Sequence, residues 1–168
     1  MQPEIAKGDI LQRVAGLSFI VGAIVTGVFN VLYPRADDPS QMQQVLTKLA
    51  DNETLSKLTF LALTLGMWLI LAGMAGLYRS LSTGSAAAWA RLGFYAVVVA
   101  TLVWTVNGAI GVAATGAAAN WQAALGSPVQ ATAYSVAASL GAASNALFTM
   151  FVIVEWALIA SWNDNRFA

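Results

Sequence analysis

The sequence contains no cysteine and no histidine in 168 residues, and only 10% of its residues are charged. Without imidazole or thiolate groups, the chain cannot ligate haem in the usual way or build a conventional zinc or iron–sulfur site. It also lacks the partners for a Ser-His or Cys-His nucleophile. We therefore expect no covalently held or metal-ligated cofactor and no catalytic residues.

Charge of either sign is scarce, because eight Lys plus Arg balance eight Asp plus Glu. No basic field is available to attract nucleic acid, so we expect no nucleic-acid partner. A soluble domain carries about 25% charged residues, whereas 58% of this chain is hydrophobic and its mean hydropathy is +0.69. The composition predicts an integral membrane protein in contact with membrane lipids.

Three long runs without charge lie at 14–34, 58–78 and 92–154. The first two have 21 residues each, and a helix of that length spans about 31 Å, close to the roughly 30 Å of bilayer hydrocarbon. The third run has 63 residues and must turn back once, with Gly126-Ser127-Pro128 as its strongest break. The sequence predicts an all-α fold, an integral membrane four-helix bundle in one domain over 1–168, with crossings at about 14–34, 58–78, 86–116 and 128–162.

The fourth crossing begins with a pattern typical of a helix start. Ser127 has the position of an N-cap, Pro128 follows it, and Gln130 stands at the third helical position. This arrangement predicts a capping box, in which the two polar side chains satisfy backbone N–H groups of the first turn.

The loop 35–57 contains a predicted short amphipathic surface helix at about 41–51. Ser40 and Gln43 form a second capping-box pattern before it. Apolar residues recur on one of its faces, at Met42, Val45, Leu46 and Leu49. That face either lies along the bilayer surface or packs on the ends of the other helices.

The four crossings place both termini on one side of the membrane. The terminal side carries five cations, Lys7, Arg13, Arg79, Arg91 and Arg166, and the other side carries three, Arg35, Lys48 and Lys57. Because cytoplasmic segments carry the excess of Lys and Arg, the bias predicts cytoplasmic termini.

Small residues at helical spacing mark faces where helices can approach closely in lipid. The predicted stripes are Gly16, Ala23, Gly27 and Asn30 on the first crossing; Ala62, Gly66, Gly73 and Gly76 on the second; and Ala133, Ala137, Gly141, Asn145 and Thr149 on the fourth. We expect most of these residues to form contacts inside the bundle.

Five residues are candidates for binding an apolar cofactor or a ligand. Trp68 and Trp104 lie near the centres of the second and third crossings, where a ring packs in the bundle or against a lipid, quinone or pigment. Asn107 and Asn145 lie within the third and fourth crossings and either bond across helices or contact a ligand head group. Glu155 is the fifth candidate, because an acid within a crossing is costly unless it has a role.

The depth of Glu155 decides its role. We expect it to be shallow and partly hydrated, with Arg79 or Arg91 as its partner on the same side of the membrane. A deeply buried Glu155 would instead indicate a proton or cation site.

Several small membrane families resemble the chain in size or crossing number. Disulfide-forming quinone reductases, tetraspanins and claudins require cysteines, and four-helix dihaem cytochromes require histidines. Small multidrug exporters carry an essential acid in the first helix, where this chain has none between Arg13 and Arg35. None of these families fits the sequence.

Two functions from different classes remain. The first is a non-catalytic accessory or structural subunit of a larger membrane protein complex, respiratory or photosynthetic, which contacts other membrane protein subunits, lipids or apolar cofactors. The second is a free-standing small transporter or a lipid- or small-molecule-binding membrane protein that uses Glu155, Asn107 and Asn145, and it requires a polar cavity. The lack of catalytic groups favours the first.

Overall fold

The computed structural model describes the backbone of residues 3–81 and 87–164, and the side chains of 10–81 and 87–153. Five helices account for nearly all of this part of the chain, and no strand occurs within it. They are α1 (Pro3–Leu32), α2 (Met42–Asp51), α3 (Glu53–Ser80), α4 (Ala87–Ala123) and α5 (Gln130–Asp164). The all-α architecture, a four-helix membrane bundle with one additional short helix, confirms the prediction.

Four helices are long and apolar enough to cross a membrane, over Ile10–Leu32, Glu53–Ser80, Ala87–Ala123 and Gln130–Ile153. Each contains or overlaps one of the predicted crossings. The third continues past the predicted end near 116, because no glycine–proline break occurs before Gly126. Bilayer thickness limits the membrane-spanning part of a helix and not the helix itself, which explains the longer elements.

The turn between α4 and α5 is where the sequence predicts it, and Gly126 adopts a left-handed conformation there with φ of 78°. Its capping differs from the prediction. The Ser127 hydroxyl donates to the Ala124 carbonyl oxygen at 2.7 Å, and the Gln130 side-chain oxygen accepts the Gly126 backbone N–H at 2.9 Å. The capping box at Ser127 is therefore wrong, because both side chains stabilise the turn instead of the first turn of α5.

The start of α2 departs from the prediction in a similar way. Gln41 is the N-cap residue and makes no side-chain capping bond. The Ser40 hydroxyl donates to the Asp38 carboxylate at 2.6 Å. The predicted capping box at Ser40 is wrong because a nearby carboxylate is a stronger acceptor than the serine hydroxyl and engages it as a donor.

The chain divides into two compact units, Met1–Val31 with Ala62–Leu102, and Leu32–Leu61 with Val103–Ala168. In the first unit, α1 and α3 meet at glycines with their backbones in close contact. A Cβ added at Gly22 would lie 2.7 Å from the Gly66 carbonyl oxygen, and one added at Gly73 would lie 2.9 Å from the Ala15 carbonyl oxygen. The predicted stripe on α3 is therefore a real contact face.

The stripe predicted on α1 is wrong. Gly16 and Gly27 have no atom within 4 Å of an added Cβ, and both are exposed. The face that meets α3 instead consists of Ala15, Phe19, Gly22 and Thr26. Both faces have helical spacing, so residue size alone does not select between them, and the larger Phe19 is accommodated because Gly73 lies opposite it.

In the second unit, α2 packs its apolar face onto the other helices. Leu46 and Leu49 are buried together with one residue or more from each long helix of this unit, namely Phe60, Ala118, Trp121 and Ala137. Gly141 on α5 faces α2, because an added Cβ would lie 3.1 Å from the Met42 sulfur. Of the two alternatives for α2, packing on the helices is therefore the one observed.

Candidate functional site

Asn107 forms a polar contact between α4 and α5 within the second unit. Its side chain is 3% exposed, and its Oδ1 accepts a hydrogen bond from the Ser144 hydroxyl at 2.8 Å. An interhelical hydrogen bond of this kind is what an amide inside a membrane bundle requires. The sequence does not reveal Ser144 as the partner, because the partner depends on the rotation of α5 about its axis.

Trp104 lies one turn of α4 before Asn107 and packs against aromatic residues of α5. Its ring centroid lies 6.0 Å from that of Phe148 and 5.2 Å from that of Phe151. The indole is 9% exposed, and its N–H is buried without an acceptor among residues 10–81 and 87–153. Trp104 and Asn107 are thus the two predicted site residues that the fold brings close together.

The other three candidates lie elsewhere. Trp68 is 48% exposed and belongs to the first unit. Asn145 is exposed on α5. Glu155 lies in α5 but outside the residues whose side chains are described, so its depth and its pairing with Arg79 or Arg91 stay predictions. Cofactor binding by any of the five candidates also stays a prediction.

A cavity of about 450 Å³ opens at the turn between α4 and α5, in the second unit. It is lined by Gln43, Trp121, Ser127, Pro128, Gln130, Ala131 and Tyr134. The rings of Trp121 and Tyr134 meet edge to face with their centroids 5.5 Å apart. Trp121 and Tyr134 are not among the site residues predicted from the sequence, and the signal that could have indicated them is a Gly-Ser-Pro turn flanked by two aromatic residues and a glutamine.

A second cavity of about 340 Å³ lies on a different side of α5, lined by Ala117, Asn120, Val129, Thr132, Ala133 and Val136. Neither cavity is lined by Asn107 or Asn145.

Polar side chains stabilise the region around α2, which is where the charges of the second unit are concentrated. The Lys57 ammonium pairs with Glu53 at 2.5 Å, and the Gln122 amide donates to Asp51 at 2.8 Å, joining α4 to the end of α2. Hydrogen bonds from Ser40 and Gln41 hold the pKa of Asp38 below its usual value. Burial raises the pKa of Tyr33, although nearby Arg35 opposes the shift.

Two exposed helix faces differ sharply in composition although their spacing is identical. The α1 outer face consists of Val14, Leu17, Val21, Ile24, Val28 and Val31. The α5 outer face consists of Thr132, Ser135, Ser139, Ala142, Ala146 and Thr149, with Asn145 beside Ala142 and Thr149. Bulky aliphatic side chains cover the first face, and small or polar side chains cover the second.

The hydroxyl groups of the α5 outer face bond to their own helix. Ser135 donates to the carbonyl of Thr132, Ser139 to that of Ser135, and Thr149 to that of Asn145. Among residues 10–81 and 87–153, the Asn145 amide has no hydrogen-bond partner. Asn145 is therefore the amide beside this face whose hydrogen bonds the described residues do not supply.

The described residues contain no group of three or more Asp or Glu side chains placed to share a metal ion. No family model, no curated protein and no solved structure matches the chain. Its functional assignment rests on the geometry alone.

Proposed function

We propose that the chain is a non-catalytic accessory or structural subunit of a larger membrane protein complex, and that the α5 outer face packs against a transmembrane helix of another subunit. The observation that carries this proposal is the contrast between the outer faces of α5 and α1.

Small side chains favour this assignment because they allow two helix backbones to approach closely. Lipid tails are as apolar as leucine, so helices in a membrane associate through close packing and interhelical hydrogen bonds. Ser135, Ser139 and Ala142 leave a shallow surface on α5 into which the side chains of a neighbouring helix fit. Bulky aliphatic residues at the same spacing on α1 favour lipid acyl chains instead.

Asn145 favours a protein neighbour over lipid for an independent reason. Its amide carries two donors and one acceptor, and the hydrocarbon of lipid offers none of the matching groups. A polar side chain or a free carbonyl on a neighbouring helix supplies them, at a gain of roughly 0.6–2 kcal/mol. The proposed partner is therefore a transmembrane helix with small residues at the contact and a polar group opposite Asn145.

The alternative function, a free-standing transporter or binder of lipids or small molecules, lacks a comparable observation. Asn107 is engaged by Ser144, Asn145 is exposed, and neither residue lines either cavity. Contacts with quinone or pigment at Trp104, Phe148 and Phe151 remain compatible with the subunit role, since an aromatic cluster at a helix pair can border a cofactor held by a neighbour.

The proposal is tested by extracting the chain from its native membrane in mild detergent and sizing it on a native gel. We expect it to migrate within a defined large complex. Ser139→Leu fills the α5 outer face and should move the chain to a smaller species, whereas the matched change Val21→Leu on α1 should leave it in the complex. A native chain that migrates as a monomer, with ligand-dependent stability, contradicts the proposal and favours the alternative.

We also propose cytoplasmic termini, on the basis of the excess of Lys and Arg on the terminal side. Because the chain has no cysteine of its own, a single introduced cysteine can be labelled uniquely. An impermeant maleimide applied to intact cells should label Asp37→Cys in the loop between α1 and α2, and labelling of a cysteine fused after Ala168 instead would reverse the orientation.

A further inference from the structure

The cavity at the α4–α5 turn has the size and the walls of a ligand site. Its volume of about 450 Å³ falls within the roughly 300–1,000 Å³ of small-molecule sites. The end of α4, the turn, the start of α5 and the start of α2 each contribute lining residues. All of these residues are uncharged, so the site recognises its ligand by hydrogen bonding.

Trp121 is the buried polar group of this cavity. Its side chain is 4% exposed, it lines the cavity, and its indole N–H has no acceptor among the described residues. An indole can only donate, so a ligand with a hydrogen-bond acceptor beside Trp121 gains a hydrogen bond there.

The other walls also present donors. The side-chain oxygen of Gln130 is occupied by the Gly126 N–H, which leaves its NH₂ group as the free part of the amide. Tyr134 adds a hydroxyl beside Trp121. At the start of α5 the Gln130 N–H already donates to the Ser127 carbonyl oxygen at 3.1 Å, and the positive end of the helix dipole favours an anion near Ala131.

The level of the cavity in the membrane narrows the ligand further. The cavity lies at the turn between the spans Ala87–Ala123 and Gln130–Ile153, and a turn between two crossings has to lie outside the hydrocarbon, on the side of the lipid head groups. The cavity offers hydrogen-bond donors but no cationic side chain. It can therefore satisfy an anion with a single negative charge better than one with two, whose second charge would have no counter-charge. We propose that this cavity binds the phosphodiester group of a membrane phospholipid.

The test uses variants that remove donors and keep the rings. Trp121→Phe combined with Tyr134→Phe deletes the donors of two residues that line the cavity, and the matched control is Trp89→Phe with Tyr95→Phe, two exposed positions on α4. Each protein is mixed with phosphatidylglycerol in detergent, and retained lipid is counted by native mass spectrometry. We expect at least a fivefold loss of retained lipid in the cavity variant and no change in the control.

Two further measurements distinguish a lipid from a water-soluble phosphate compound as the ligand. Stabilisation by phosphatidylglycerol but not by excess inorganic phosphate assigns the site to a lipid, and equal thermal stabilisation by both assigns it to an aqueous phosphate compound. Equal lipid retention by the two double variants overturns the proposal. So does equal retention of a glycolipid without phosphate.

If the cavity variant does not fold, Gln43→Leu provides the same test. Gln43 is an exposed residue at the rim on α2, so its substitution leaves the core intact and should still lower lipid retention. Unchanged retention in Gln43→Leu together with an unchanged thermal response to phosphatidylglycerol also overturns the proposal. Lipid retention is measured on the isolated chain, so this proposal and the subunit role fail separately.

Discussion

The outer faces of α1 and α5 are both exposed, but in a membrane protein an exposed face can suit either lipid or a neighbouring protein. Both faces are exposed at six positions with the same spacing, yet one consists of valine, leucine and isoleucine and the other of serine, threonine and alanine. In water, the tendency of each face to bind a partner would increase with the apolar surface that it exposes. In lipid the bulky face needs no partner, and the small polar face is the one that gains from a protein neighbour.

The largest expected effect comes from a substitution on the α1 face that packs against α3, compared with a substitution on the exposed side of α1. Gly22→Leu places a side chain where an added Cβ already lies 2.7 Å from the Gly66 carbonyl oxygen and 2.8 Å from the Ile70 nitrogen. We expect a loss of about 3 kcal/mol or more in unfolding free energy, because the obstructing atoms belong to the backbone. Unfolding by denaturant in detergent measures it.

Gly16→Leu is the control for this prediction. A Cβ added at Gly16 meets no atom within 4 Å, so the unfolding free energy of this variant should be no lower than that of the native chain. Equal destabilisation by the two substitutions would contradict the assignment of Gly22, and not Gly16, to the face that packs against α3.

The next largest effect concerns Asn107, which is buried and hydrogen-bonded, in contrast to the exposed Asn145. Asn107→Leu removes the acceptor of the Ser144 hydroxyl in a buried position. We expect about 1–2 kcal/mol of lost stability without any change in the size of the complex. A variant that is fully stable but leaves the complex would assign Asn107 to an interface between subunits.

Asn145→Leu should give the opposite result with a smaller energy. Its amide has no partner among the described residues, so the isolated chain should lose no stability. Association with the proposed partner subunit should weaken by about 1 kcal/mol, which corresponds to roughly a fivefold change in affinity. Quantitative co-purification from native membranes measures this change, and a destabilised but fully associated variant would contradict it.

The smallest effect lies in the loop, away from both outer faces. Hydrogen bonds from Ser40 and Gln41 lower the pKa of Asp38 below its usual 3.8, so the folded carboxyl binds its proton less readily than the unfolded one. The stabilisation is complete above the unfolded pKa and is lost as the pH falls through the folded pKa. The Ser40 amide signal in NMR should shift only at that lower pH, and in Asp38→Asn it should not titrate there.

The spans could be predicted because charge is excluded from them. Three runs free of charge and one Gly-Ser-Pro break indicate four crossings, and the i, i+3, i+4 pattern fixes α2 almost to the residue. Both features depend on the local sequence. The caps at Ser40 and Ser127 failed because a hydroxyl can act as donor or acceptor, and the nearest strong acceptor decided the outcome.

The contact faces were less predictable because they depend on how each helix is rotated. Gly16 and Gly22 are equally small, so residue size does not predict which of them lies at the helix contact. Only the position of α3 shows that it is Gly22. The same reason hides the Ser144 partner of Asn107 and the exposure of Asn145. The cavity beside Trp121 was missed because its walls depend on how the ends of α4 and α5 pack at the turn, and because Gln43 joins them from a distant part of the sequence.

The most direct test of the central claim compares what touches the two outer faces in the native membrane. A small diazirine-bearing amino acid is placed at Ala142 or at Ile24, which hold corresponding positions in the two faces, and is activated by light before extraction. The account predicts a discrete protein adduct from position 142 and lipid adducts from position 24. Lipid adducts alone from both positions would contradict it.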